Sequence, residues 1–180
     1  RSMVVIGAGV IGVEYATIFS ALDARITLID SRDTILDFVD GDIVDEFKHD
    51  LQSRGIQLRL GEDVERVEKA PDGRVVTHLK SGKRICSDLL MAASGRMGAT
   101  ADLDLDKAGL AADNRGRLTV ELTYQTAVPH IYAVGDVIGF PALASTSAEQ
   151  GRLAACHAFA ASEEGATEYF PLGIYSVPEI

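Results

Sequence analysis

Residues 4–14 read Val-Val-Ile-Gly-Ala-Gly-Val-Ile-Gly-Val-Glu, and no other stretch restricts the possible folds as strongly. Gly7, Gly9 and Gly12 make a G-x-G-x-x-G pattern directly after an apolar run. Such a pattern is weak alone. It gains force when a strand precedes it, a helix follows it and an acid closes the next strand. All three conditions hold. Residues 2–6 are apolar and β-rich, and residues 10–22 carry apolar side chains at helical spacing. Residues 25–29 form a second β-rich run that ends at Asp30.

Those residue types suit the phosphates of a dinucleotide. Gly7 can take the tight turn that leaves the strand. Gly9 lacks a Cβ, so a pyrophosphate can approach the backbone there, and Gly12 lets the helix pack closely. The helix start at Val10 and Ile11, with Ala8 in the turn, offers backbone N–H groups and a partial positive charge. Asp30 stands where a carboxylate can accept hydrogen bonds from an adenosine ribose, which favours NAD. Arg32, two residues on, can pair a 2′-phosphate, which favours NADP. Having both fits a site that accepts both cofactors.

The 180 residues are 47% hydrophobic, enough for one good core and part of a second. A formal net charge of −10 argues against nucleic acid and anionic membranes as partners. No run of about 18 apolar residues suggests a membrane span. The first strand starts almost at once, so no signal peptide is expected. Cys86 and Cys156 form no C-x-x-C motif and read as small buried hydrophobes in a reducing, cytoplasmic compartment. His49, His78, His130 and His157 are scattered without ligand spacing, so no metal site is expected.

After Asp30, residues 34–40 read as a loop anchored by Ile35, Leu36 and Phe38. A helix is expected over 42–54, with Ile43, Val44, Phe47 and Leu51 on one apolar face and Gly55 at its C-terminal cap. Residues 56–60 form a third strand. The runs 64–68, 74–79 and 83–86, separated by Pro71-Asp72-Gly73 and Ser81-Gly82, carry hairpin signals and make an inserted antiparallel β-meander. Residues 88–93 return to a buried parallel strand that stops at Ser94-Gly95-Arg96, at the carboxyl edge of the sheet where ligands bind. Further strands are expected at 119–122 and 130–134, a turn at 126–129, an Ala-rich helix at 142–159 and an extended tail from 170 to 180. The fold class is therefore α/β, a Rossmann-like doubly wound parallel sheet with an inserted meander.

The run Ile131-Tyr132-Ala133-Val134-Gly135-Asp136 ends in a carboxylate that can hold a polyol hydroxyl. Together with Thr126, it resembles the second flavin-binding motif of the pyridine nucleotide-disulfide oxidoreductase family of flavoproteins. Gly95-Arg96, Glu14 and the late Tyr175, Pro178 and Glu179 match further elements of that family. One departure is Gly98-Ala99-Thr100, where many members have Pro-Asn. The resemblance spans nearly the whole chain. Its finer pattern, including Ser31-Arg32-Asp33, resembles the branch that passes hydride to a second nicotinamide cofactor.

The resemblance implies NAD, NADP and FAD as cofactors and a homo-oligomeric parent protein. It implies an NAD(P)-binding domain over 1–117, the C-terminal part of an FAD-binding domain over 118–162, and a linker with the start of an interface domain over 163–180. Glu14, Gly95 and the turn from Gly7 to Gly12 then shape the nicotinamide site, and Asp30, Ser31, Arg32, Val64 and Arg96 join them as cofactor-binding candidates. Gly135, Asp136, Leu143, Ala144 and Ser145 belong to the flavin side. No catalytic residue is assigned. Two other readings stay open: a disulfide oxidoreductase of the dihydrolipoamide dehydrogenase type, and a non-catalytic dinucleotide-binding regulatory module. A short-chain dehydrogenase is disfavoured, because no tyrosine has a lysine four residues on. On this reading the chain is a fragment holding only half of the flavin contacts. It is expected to purify colourless and without hydride-transfer activity. A yellow preparation with a bound-flavin absorption band contradicts that expectation.

Overall fold

The computed structural model describes residues 1–161 and 171–180. Phe170 and residues 163–169 of the expected linker lie outside the described residues. Two compact units are present, one of Arg1–Gly95 with Gly173–Ile180, the other of Arg96–Leu172.

The first unit begins with β1 (Ser2–Ile6), α1 (Val10–Ala21) and β2 (Arg25–Asp30), followed by α2 (Gly41–Ser53) and β3 (Gln57–Leu60). The meander β4 (Val64–Lys69), β5 (Val75–Leu79) and β6 (Arg84–Ser87) forms its own antiparallel sheet. The chain then returns to β7 (Leu89–Ala92). The parallel sheet runs β3-β2-β1-β7. Winding goes one way from β1 to β3 and comes back on the other side of β1. The carboxyl ends of β1 and β7 therefore flank a topological switch point, where open α/β sheets bind ligands. The glycine turn follows β1 at that point.

One apolar core holds this sheet and its helices together. Met3 and Val5 of β1, Ile26 and Leu28 of β2, Val13 and Ala16 of α1, and Val44, Phe47 and Leu51 of α2 are all buried in it. Ile35 and Leu36 anchor the loop after β2. Phe38, expected as a third anchor, is 48% exposed, and Ile43 lies at the rim of the α2 face, 50% exposed. A smaller cluster of Val4, Ile29 and Leu79 joins the opposite face of the parallel sheet to the meander.

The ends of α2 follow local chemistry. The Asp40 side chain accepts from the Asp42 backbone N–H and caps the start. At the other end Gly55, with φ +83°, follows the last helical residues. The Gly55 N–H donates to the Gln52 carbonyl and the Ile56 N–H to the Leu51 carbonyl. This is the Schellman arrangement, and Leu51 and Ile56 are both buried in the main core beneath it.

Several expectations are corrected. β7 is an edge strand rather than a buried one. It pairs only with β1 among the described strands, and Leu89 is 49% exposed. No strands form at 119–122 or 130–134. A strand needs a neighbour, and here the backbone groups turn inward locally. Thr126 N–H donates to the Ile131 carbonyl, and Ala133 N–H to Tyr124, leaving only a single bridge between Gln125 and Tyr132. Cys86 is exposed and Cys156 only half-buried, and both are free thiols. The second unit adds an unanticipated 3-10 turn at Leu105–Ala108 and carries α3 (Ala144–Ala158).

The departure at Gly98 has a steric cause. A Cβ on Gly98 would overlap the Gly116 carbonyl oxygen where the two backbones cross, and Gly98 N–H donates to Arg115 there.

A Cβ on Gly12 would overlap the Gly7 carbonyl oxygen, which is backbone and cannot yield cheaply. Gly12→Ala should lower stability by about 1–3 kcal/mol, the usual cost of overpacking. Urea unfolding of the two chains checks this, and an unchanged midpoint would show that α1 is not pressed against the turn.

Candidate functional site

Gly7 leaves β1 with φ +105°, and its N–H donates to the Ile29 carbonyl at 2.7 Å. A Cβ there would overlap the Ala93 carbonyl oxygen, so the turn lies directly against the end of β7. Gly9 is the N-cap of α1, and no side chain caps it. A Cβ built on Gly9 would meet nothing within 4 Å, so the space before the helix is open. No acidic residue occupies the first turn. The first-turn N–H groups of an α-helix have no intrahelical acceptor. Val10 and Ile11 therefore present donors beside the open space at Gly9, an arrangement suited to an anion. Ile11 is half-exposed, and Glu14 stands one turn further on.

Asp30 closes β2 beneath this turn and is 7% exposed. Its Oδ2 accepts from the Ala8 N–H at 2.6 Å and from Arg32 Nη2 at 2.9 Å. Its Oδ1 accepts from the Arg32 N–H at 2.9 Å and from Arg32 Nε at 3.0 Å. A carboxylate has about four acceptor positions, and all are used. Burial alone would raise this carboxyl, but the Arg32 fork and the Ala8 N–H outweigh it and hold the group below the ordinary carboxylate value. Arg32 is held above its own ordinary value by Asp30 and, through Nη1 at 2.9 Å, by Asp37. Ser31 is exposed beside them.

The loop after β3 is tied to the same edge. Gly61 N–H donates to the Arg32 carbonyl and Glu62 N–H to the Asp30 carbonyl. Val64 then starts β4, pairs with Leu79 and packs against the smaller core cluster. Gly95 follows β7 with φ +110° and open space at its Cβ position. Thus Gly7 to Gly12, Asp30, Ser31 and Arg32 meet at the carboxyl edge of the sheet, while Val64 serves the core.

The second unit gathers the remaining candidates. Gly135, with φ +77°, opens a 3-10 turn over Gly135–Ile138 instead of ending a strand. Its N–H donates to the buried Gln150 Oε1 at 2.7 Å, and a Cβ would press on Ser147 Oγ. Asp136 projects outward and pairs with Arg96 Nη1 at 2.8 Å. Leu143 is the N-cap of α3 without a side-chain cap bond, and Ala144 and Ser145 lie exposed in its first turn. Tyr132 Oη and His157 Nδ1, 2.8 Å apart, tie the preceding segment to the same helix.

Sequence reasoning did not find Asp37, Gln150 or the approach of the Ala93 carbonyl. Gln150 left a trace: a polar residue in register with Thr146 and Ala154 on the buried stripe of an Ala-rich helix. Asp37 and Ala93 left none. Among the described residues no group of His, Cys, Asp and Glu side chains could hold a metal ion. Nor is any described helix long and apolar enough to cross a membrane.

Residues 1–151 match the family model described as pyridine nucleotide-disulphide oxidoreductase. The chain is 52% identical over 179 residues to a soluble pyridine nucleotide transhydrogenase of Mycobacterium bovis, covering 99% of this chain and 38% of that protein. It is 47% identical to the protein of that name from Enterobacter sp., covering 100% of this chain and 39% of the relative. The chain therefore spans well under half the length of these relatives. Among solved structures, LpdA from Mycobacterium tuberculosis superposes with a TM-score of 0.89 at 26% identity, over 99% of this chain and 39% of that one. The HOCl-induced flavoprotein disulfide reductase RclA from Escherichia coli gives 0.84 at 28% identity, over 99% and 41%. With the family model matched over most of its length, the chain belongs to the pyridine nucleotide-disulphide oxidoreductase family.

Proposed function

We propose that this chain supplies the nicotinamide-binding part of a flavoprotein oxidoreductase that moves hydride between NAD(P)H, FAD and a second acceptor, NAD(P)+. On this reading residues 1–117 bind the nicotinamide cofactor, 118–162 contribute to an FAD site, and 163–180 lead into an interface domain of a homo-oligomer in the cytoplasm. The observation that carries the reading is the glycine turn. Its geometry is pinned by Asp30 through Ala8, and its helix start faces open space at Gly9. The relatives named soluble transhydrogenase support the choice of acceptor. The net charge of −10 supports a site without nucleic acid or anionic membrane partners.

The residues present fit the implied groups. Gly9 leaves a cradle that a Cβ would fill, and the N–H groups at Val10 and Ile11 would hold a pyrophosphate there. Asp136, Arg96 and the uncapped start of α3 at Leu143, Ala144 and Ser145 would hold part of a flavin. The flavin, when bound, supplies the hydride-accepting ring. The protein's own share is positioning. The Asp30 bonds fix the turn, and Gly95 leaves space beside the end of β7.

Asp30 and Arg32 act as one unit in choosing the cofactor. Every Asp30 acceptor position is taken, so a ribose hydroxyl can reach this carboxylate only when the Arg32 side chain lets go. The released guanidinium is then available to a 2′-phosphate. This reading fits NAD and NADP at one edge. A disulfide-reducing function is the second reading, favoured by the likeness to RclA. The 47% and 52% identical relatives favour transhydrogenation.

Calorimetric titration tests the cofactor reading. Arg32→Ala should weaken NADPH binding roughly tenfold, the loss of a charge-assisted hydrogen bond, with a smaller effect on NADH. Asp30→Ala should weaken NADH more than NADPH. Equal losses for both ligands in each variant would remove this account.

A further inference from the structure

The C-terminal segment returns across 160 residues to α1, the helix that starts at the glycine turn. Its burial alternates. Ile174 sits in the main core at 5% exposure, Tyr175 is 70% exposed, Ser176 is 2% exposed and Val177 is exposed again at 37%. Such a period of two turns alternate N–H groups to one side. Two of them meet side chains of α1. Tyr175 N–H donates to Glu14 Oε1 at 2.9 Å, and Val177 N–H donates to Thr17 Oγ1 at 3.1 Å.

The spacings match. Residues three apart on a helix are neighbours on one face, about 5–6 Å apart. Alternate residues of an extended chain stand about 6.5–7 Å apart. The longer Glu14 side chain makes up the difference. The helix thus serves as the hydrogen-bonding partner that a neighbouring strand would otherwise be. Gly173 fits the same packing, since its Cβ position lies 3.2 Å from the Tyr175 ring.

Thr17 is the buried half of this dock, at 2% exposure. Its single hydroxyl hydrogen is directed to the helix carbonyls of Glu14 at 2.9 Å and Val13 at 3.1 Å. Its lone pairs are thereby left facing Val177. Glu14 is the outer half, its Oε1 accepting from the Tyr175 N–H.

We propose that Thr17 is a positioning residue that fastens residues 174–177 to α1, orients Glu14 through Tyr175, and so couples docking of this segment to occupancy of the glycine turn. The coupling rests on the nicotinamide reading proposed above, while the docking does not. Because linkage is reciprocal, a nicotinamide dinucleotide that binds better to the docked form must also hold the segment down.

Amide hydrogen exchange on the 180-residue chain, combined with NADH titration, tests this. In T17V, which keeps the shape and loses the acceptor, exchange at Val177 and Tyr175 should quicken roughly five- to tenfold, the loss of about one net hydrogen bond. NADH affinity should fall about three- to tenfold in the same variant. T17S should restore both. In the wild-type chain, saturating NADH should slow exchange at the same two amides, a measurement that decides the coupling even where T17V does not fold. Unchanged exchange in folded T17V overturns the docking role. Quickened exchange with unchanged NADH affinity overturns the coupling, as does wild-type exchange indifferent to NADH. A wild-type chain that binds no NADH removes the nicotinamide reading and the coupling together, and exchange in T17V then still decides the dock.

Discussion

The carboxylate of Asp30 is the point from which the rest of the site hangs. It is nearly buried at the end of β2, yet each oxygen accepts two hydrogen bonds. One comes from Ala8, in the middle of the glycine turn that leaves the adjacent strand. A buried charge is tolerated only when it is paired and hydrogen-bonded. Here the desolvation cost is offset by the Arg32 fork and by two backbone donors. The result joins the ends of β1 and β2 through a side chain, where the sheet's own ladder stops. Because its carboxyl is held below the ordinary value, this contribution to stability is fully present above the unfolded value of about 3.9. It is lost as pH falls through the lower folded value.

Around that anchor, three glycines answer three separate steric demands. Gly7 must pass the Ala93 carbonyl with a positive φ, and Gly12 must pass the Gly7 carbonyl. A Cβ on Gly9 would meet nothing, so the position where its side chain would stand is open. Two of the three therefore answer close packing, and the third borders open space. The exposed apolar residues Ile11, Tyr15, Ile18 and Leu22 follow each other along α1, so the helix is apolar beyond the face that it buries.

What could be read in the chain beforehand was what local chemistry decides. The span of β1, α1 and β2 follows from periodicity and punctuation. The Schellman end of α2 follows from Gly55, and the meander from its two Gly-containing turns. Long-range partners decide what could not be read. β7 has the apolar composition of a buried strand, but burial depends on a second neighbour that is absent among the described strands. Residues 119–122 and 130–134 have strand composition and spend their backbone bonds on local turns. Within the site, Asp30 and Arg32 were both legible as candidates. Their mutual fork was not, because a two-residue spacing does not reveal whether two side chains face each other or a ligand. Thr17 gave no sign at all, since its partner lies 160 positions away.

Arg32 and Ala8 together hold the Asp30 carboxylate charged and the glycine turn closed. The pH dependence of the Ala8 amide resonance measures this directly, because that N–H is bonded to the titrating group. The wild-type chain should show a midpoint below the ordinary value of about 3.9, and R32A should move it upward, because burial then acts with fewer opposing bonds. A wild-type midpoint at or above the ordinary value, or a midpoint that R32A leaves in place, would contradict the account.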